Sequence, residues 1–234
     1  MTAQTRHVVL LASLGRPASD FDSLSGSLHA EGFEAHALDP LPSWDGEPTL
    51  HNLADRVRHE MDSRKIERAH IIGHAFGNRL ARMFAADHPT RLATLTLLAA
   101  GGYVPIAPEI EHSLLACFDE ELPRPEHLEH VRRAFFADGS DPSVWSGGWM
   151  PTVARYQRGA LVRTDRGAWW DATADRVLVV QALDDVIAVP ENSRRYVADH
   201  RERTTLVEIA DAGHAMLPER PVEIAAAVLG FLQR

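Results

Sequence analysis

Few residues in this chain have the types and spacing that chemistry needs. The short apolar run Ala69-His70-Ile71-Ile72 closes on Gly73-His74-Ala75-Phe76-Gly77, and a helical pattern starts at once. That is the layout of a strand, a sharp turn and a helix, in which small residues at both glycine positions let the backbone turn tightly and approach its neighbours. The middle residue of such an elbow stands beside a helix N-terminus, where a nucleophile is expected. Here it is Ala75, which has no nucleophilic atom. His214 follows Gly213 on a loop after a strand pattern, and an imidazole there suits a general base because it titrates near neutrality. Asp184 and Asp185 stand side by side after another apolar run. A carboxylate at such a place can orient an imidazole and stabilise its protonated form.

The elements that must position these groups read as alternating strands and helices, so the fold class is α/β. Val8–Ala12 is a wholly apolar first strand, as a buried parallel strand should be. Ser13-Leu14-Gly15-Arg16 makes a tight loop. Ser19 is read as the cap of a helix over Asp20–Ala30 that Gly32 ends. Phe33–Leu38 is the second strand, and the proline-rich Asp39–Pro48 is a loop. Thr49 caps a helix to about Arg64 with Leu50, Leu53, Val57 and Met61 on one face. Arg68–Ile72 is the third strand, Asn78–Asp87 continues the elbow as helix, and Leu92–Ala99 is the fourth strand.

From Gly101 to about Arg176 the rhythm breaks. Helical periods fall near Pro108–Phe118, Pro125–Phe136 and Ser143–Thr164, with no convincing strand, and Trp145, Trp149, Trp169 and Trp170 all lie here. The stretch reads as a helical cap, residues 101–176, inserted into a core formed by 1–100 and 177–234. The rhythm resumes with strand Val177–Gln181, a helix near Glu191–His200, strand Thr204–Ile209 and a closing helix Pro221–Leu232.

Composition narrows the function classes. A chain of 234 residues with 45% apolar content can bury one large core, or one core plus a small cap. The net charge is −9, with 24 basic against 33 acidic residues and no basic run longer than two, so no nucleic-acid partner is expected. The single cysteine, Cys117, excludes an internal disulfide and fits a reducing, cytoplasmic compartment. The run from His7 to Ala12 is too short for a signal segment or a membrane span, so no membrane partner is expected. The oligomeric state is not legible.

Taken together, the chain resembles the α/β-hydrolase superfamily. Gly73-His74-Ala75-Phe76-Gly77 looks like its nucleophile elbow, Gln181-Ala182-Leu183-Asp184-Asp185 like its acid loop, and Asp211-Ala212-Gly213-His214 like its base loop, in the family's order. The resemblance covers nearly the whole chain. It implies a mostly parallel sheet with helices on both faces and an inserted helical cap. It also implies a small-molecule substrate, no cofactor and no metal. The family spacing selects Asp185 over Asp184 as the partner of His214. Leu11-Ala12-Ser13-Leu14-Gly15 stands at the loop that gives the family an oxyanion amide, so the Leu14 and Phe76 amides are the expected oxyanion donors. Ser13 is placed to hydrogen-bond a substrate, and His74 is read as a packed histidine. Trp145, Trp149, Trp169 and Trp170 cover the core or wall a pocket for a flat or apolar substrate. Cys117 is read as a structural thiol, and His127 and His130 as solvated.

Ala75 leaves the activity open. In one reading a catalytic serine has been replaced to trap a complex, and the parent hydrolyses an ester, lactone or similar acyl compound of a small, partly apolar kind. In a second the alanine is native, and the His214–Asp185 pair acts as a base by itself, as in lyases and cofactor-free oxygenases of the superfamily. A third reading is a small-molecule binding protein that keeps the pocket without chemistry.

Overall fold

A computed structural model describes residues 5–234. In chain order its elements are β1 (His7–Leu11), α1 (Asp22–Ala30), β2 (Glu34–Leu38), α2 (Leu50–Ser63), β3 (Ala69–His74), α3 (Phe76–Asp87) and β4 (Leu92–Leu98). There follow α4 (Pro108–Ala116), α5 (Arg124–Phe135), α6 (Pro151–Val162) and α7 (Gly167–Trp170), then β5 (Val177–Ala182), α8 (Pro190–Asp199), β6 (Thr204–Ile209), α9 (Met216–Glu219) and α10 (Pro221–Leu232). Among the described residues the strands form one six-stranded sheet in the order β2-β1-β3-β4-β5-β6, and every neighbouring pair is parallel.

The central strands are buried along their whole length because both faces of the sheet are covered. On one face Leu24 and Leu28 of α1 and Ile224, Val228 and Phe231 of α10 pack over Val8, Leu10 and Ile72. On the other, Leu53, Val57 and Met61 of α2, Met83 and Phe84 of α3 and Tyr196 of α8 pack over Val9, Ile71 and Val179. Alternate residues of each strand thus feed opposite cores, as the period of a strand requires. The fold is α/β throughout, with helices on both faces of a parallel sheet.

Local chemistry explains where the elements start. Thr49 caps α2 in a full capping box, its hydroxyl accepting from the Asn52 amide while the Asn52 side chain accepts from the Thr49 amide. Ser19 does not cap α1: it lies inside a single 3-10 turn, Ala18–Phe21, and α1 starts only at Asp22 with no side-chain cap. The helical stretch expected over Ser143–Thr164 is broken. A 3-10 turn, Pro142–Trp145, is separated from α6 by a loop containing Gly148 at φ 81°. The helix after the elbow begins at Phe76, before the expected Asn78. The short helices α7 and α9 have too few residues to leave a period in the sequence.

Helices α4 and α5 and the 3-10 turn at Trp145 build their own cluster from Leu114, Cys117, Val131, Phe135 and Trp145, and this cluster meets Ile187 and Ala215 on the loops after β5 and β6. The inserted helices therefore sit over the C-terminal ends of the strands, where the elbow also lies.

Candidate active site

The elbow geometry is present with an alanine at its tip. Ala75 lies at φ 52°, ψ −108°, a backbone region that a residue with a Cβ enters only at a cost of about 1–3 kcal/mol. The turn is held by the Ala75 amide donating to the Leu98 carbonyl at 3.0 Å. Both glycines are sterically required. A Cβ on Gly73 would stand 2.2 Å from the Gly77 carbonyl oxygen, and one on Gly77 would stand 1.9 Å from that of Leu11. Strand β1, strand β3 and helix α3 are thus pressed together at the one point where the chain reverses.

Asp185 and His214 meet as a buried pair. His214 Nδ1 lies 3.0 and 2.9 Å from the two carboxylate oxygens of Asp185. Neighbouring Asp184 is exposed. The Asp185 carboxylate also accepts the amides of Ile187 at 2.9 Å and Ala188 at 2.7 Å, so its orientation is fixed by its own loop. With Nδ1–H committed to the carboxylate, the other ring nitrogen carries the lone pair, and His214 lines the cavity.

Side chains outside the expected set hold these loops. Gln181 Nε2 donates to the carbonyls of Ala182 at 2.7 Å and Ala188 at 2.9 Å, and the Ser193 hydroxyl donates to Gln181 Oε1. Glu219 accepts from the amides of Gly213 and Ala137, both at 2.8 Å, joining the loop of His214 to the end of α5. Gln157 of α6 accepts the Gly15 amide at 2.9 Å, next to Ser13 and Leu14. Gln181 was visible as one amide closing an apolar strand. Gln157 and Glu219 left no signal, because an acceptor for a main-chain amide imposes no pattern on the sequence.

His74 is packed, as its sequence context suggested. Its Nε2 donates to the His214 carbonyl at 2.8 Å, and complete burial pushes its pKa down to about 3, so the ring is neutral. The edge of Trp145 faces it.

Trp145 and Trp149 do not line the cavity, which corrects their expected role as pocket walls. They clasp Arg16, whose guanidinium lies 4.3 Å from one ring centre and 4.6 Å from the other. Arg16 is in turn paired with Asp20 at 2.8 Å, so the indoles are committed to a buried cation. Trp170 packs against Tyr103 and Tyr196. Trp169 borders a recess beside the cavity that shares Arg79, Ile106, Leu161 and Val162 with it.

The cavity itself has a volume of about 420 Å³. Ser13, Leu14, Ala75, Phe76 and His214 come to it from the strand ends, and Leu114, Phe118, Phe135 and Leu161 from the inserted helices. Phe76 is the first residue of α3, where main-chain amides have no acceptor within the helix. The walls are mostly apolar, with Arg79, Arg155, Arg158 and Glu111 as the charged exceptions.

Cys117 is buried, bonds the Ser113 carbonyl at 3.2 Å, and burial pushes its thiol up to about 12, which makes it inert. His127 and His130 are not solvated as expected. They are half-buried on α5 and bond Cys117 O at 3.1 Å and Ser113 Oγ at 3.2 Å, tying α5 to α4. Among the described residues the atoms of His7, Glu34 and His36 are close enough together to hold a metal. They lie at the opposite end of the sheet from the elbow, near the starts of β1 and β2.

The model of the alpha/beta hydrolase family matches residues 8–227. A carbamate hydrolase RutD of Caulobacter vibrioides is 26% identical over 79% of this chain and 72% of its own length. The RutD of Variovorax paradoxus is 26% identical over 97% of this chain and 91% of its own. A hydrolase from Pseudomonas aeruginosa has a similar structure, with a TM-score of 0.78 and 20% identity over 100% of this chain and 92% of that one.

Proposed function

The chain belongs to the alpha/beta hydrolase family, and from that premise we propose that it is a small-molecule enzyme whose His214–Asp185 pair acts as a general base without a covalent intermediate. One observation carries the reading: a strained elbow, a buried imidazole–carboxylate pair and an apolar cavity are all kept around a residue that has no attacking atom. A binding protein that had shed chemistry would gain stability from relaxing Ala75, and would not need the Asp185 carboxylate paired with His214 as well as with its own loop.

The residues divide the work as follows. The substrate's polarised oxygen lies against the amides of Phe76 and Leu14, which stabilise negative charge as it develops. His214 takes a proton through Nε2, either from a water in the space beside Ala75 or from an acidic C–H of the substrate. Asp185 stabilises the imidazolium that results, and the proton leaves His214 for the departing group. With water as the nucleophile, the reaction is a one-step hydrolysis of an activated acyl or carbamoyl compound. The RutD relatives, named as carbamate hydrolases, favour that branch. Residues 101–176 act as a cap that keeps bulk water from the cavity.

The experiment is turnover of a panel of small carbamates, esters and lactones by the unmodified chain, with His214→Ala as control. Turnover that His214→Ala abolishes, without labelling by a serine-directed fluorophosphonate, is the expected result. Absence of any turnover, together with tight binding of small molecules, turns the reading to a binding protein.

A further inference from the structure

Arg79 sits one helical turn beyond Ala75 on α3 and borders the cavity. The two most deeply buried arginines are engaged with the protein: Arg16 pairs with Asp20 at 2.8 Å, and Arg82, with no carboxylate, donates from Nη2 alone to Asn78 Oδ1 and the Gly101 carbonyl, both at 2.7 Å, and lies against the Trp169 and Trp170 rings. Among the described residues no carboxylate and no hydrogen-bond acceptor meets Arg79, and its neighbour is the ring of Trp169 at 5.9 Å. Gly101 leaves it room: a Cβ there would come within 3.4 Å of Nη2. Burial lowers its pKa only to about 10, so the guanidinium is charged at neutral pH. Arg79 is half-buried, so its guanidinium is partly desolvated yet without a counter-charge, and an anionic ligand in the cavity would supply one.

The surroundings repeat the sign. Arg155 and Arg158 of α6 line the same cavity from its exposed side, against the single acidic residue Glu111. Three arginines around one apolar space stand out in a chain of net charge −9.

We propose that the cavity takes a small molecule with an apolar body and a carboxylate, held by Arg79 and drawn in by Arg155 and Arg158. The planar guanidinium fork matches a carboxylate in two parallel bonds, and one such fork within apolar walls fits a monoanion. The inference rests on reading this cavity as the substrate site and names its substrate class.

The test compares 3-phenylpropionate with its neutral isostere 3-phenylpropionamide by isothermal titration calorimetry. The acid should bind at least about tenfold more tightly than the amide, the size expected for charge-assisted hydrogen bonds. Arg79→Met should lower acid binding to the level of the amide and leave the amide unchanged, while Arg79→Lys keeps part of the preference. Equal binding of the two compounds by the unmodified protein, or binding of neither, overturns the proposal, as does a preference that survives in Arg79→Met. His214→Ala should keep the preference for the acid. A failure of the general-base reading therefore appears as lost turnover with acid binding intact, and a failure of the subsite as equal affinities.

Discussion

His74 Nε2 holds the main-chain carbonyl of His214 at 2.8 Å, so the last residue of β3 fixes the backbone of the residue that carries the candidate base. His74 is neutral in the fold, with its pKa pushed from 6.5 down to about 3 by burial and by neighbouring His214. Unfolding restores the ordinary value. Between those values the unfolded chain binds the extra proton, so the stability tied to His74 is complete above about pH 6.5 and is lost as the pH falls toward 3. Urea midpoints measured from pH 7 to pH 4 should fall more steeply for the unmodified protein than for His74→Gln. The difference should be about 1 kcal/mol per pH unit. Parallel curves would mean that His74 does not titrate with unfolding. The His70 and His36 rings, also lowered by burial, are common to both proteins and cancel.

The two adjacent aspartates should separate cleanly. Asp185→Asn removes the carboxylate from His214 Nδ1 and should cost on the order of 10⁴ in turnover. Asp184→Asn alters an exposed side chain and should leave turnover within about twofold. Steady-state rates on whichever substrate the panel identifies decide it, and equal losses would contradict the pairing.

Ala75→Ser adds one hydroxyl at a position that already lines the cavity with the required backbone turn. The variant should fold and should gain labelling by a fluorophosphonate, read by intact-protein mass spectrometry. It should also hydrolyse an activated ester slowly. A folded variant that stays unlabelled would show that His214 and the amides are not poised around residue 75.

Glycine replacements should divide by contact. Gly77→Ala places a Cβ 1.9 Å from the Leu11 carbonyl oxygen, where only backbone can give way, and soluble expression should be lost. Gly147→Ala meets nothing within 4 Å and should shift the melting temperature by no more than a few degrees.

The sheet was legible because its central strands are largely apolar, and even the edge strand β6 and the helix α10 fall on the expected residues, Thr204–Ile209 and Pro221–Leu232. The elbow was legible because two glycines at fixed spacing are a steric demand that local sequence states openly. Trp145 and Trp149 misled because composition reports that indoles are present and not which way they face. A buried Arg16, distant in sequence, decides that. Glu219 and Gln157 were silent for a related reason, since an acceptor for a main-chain amide imposes no pattern on the chain. Arg79 was passed over as part of an ordinary amphipathic helix, and only the missing partner in three dimensions sets it apart.

The hydrogen bonds from Gly213 and Ala137 to Glu219, and from Gly15 to Gln157, bear on traffic into the cavity. Each ties an inserted helix to a loop that the site needs in place. Swinging those helices away would either break these bonds or drag the base loop or the Ser13–Gly15 loop with them, so opening is coupled to the site. Small molecules can come and go past side chains instead, with Arg155, Arg158 and Glu111 as the movable ones at the exposed margin. Such side chains reorient in picoseconds to nanoseconds, whereas hinged covers take microseconds to milliseconds. On the proposed reading, exchange of ligand is then gated by the rotamers of these side chains and not by a hinge.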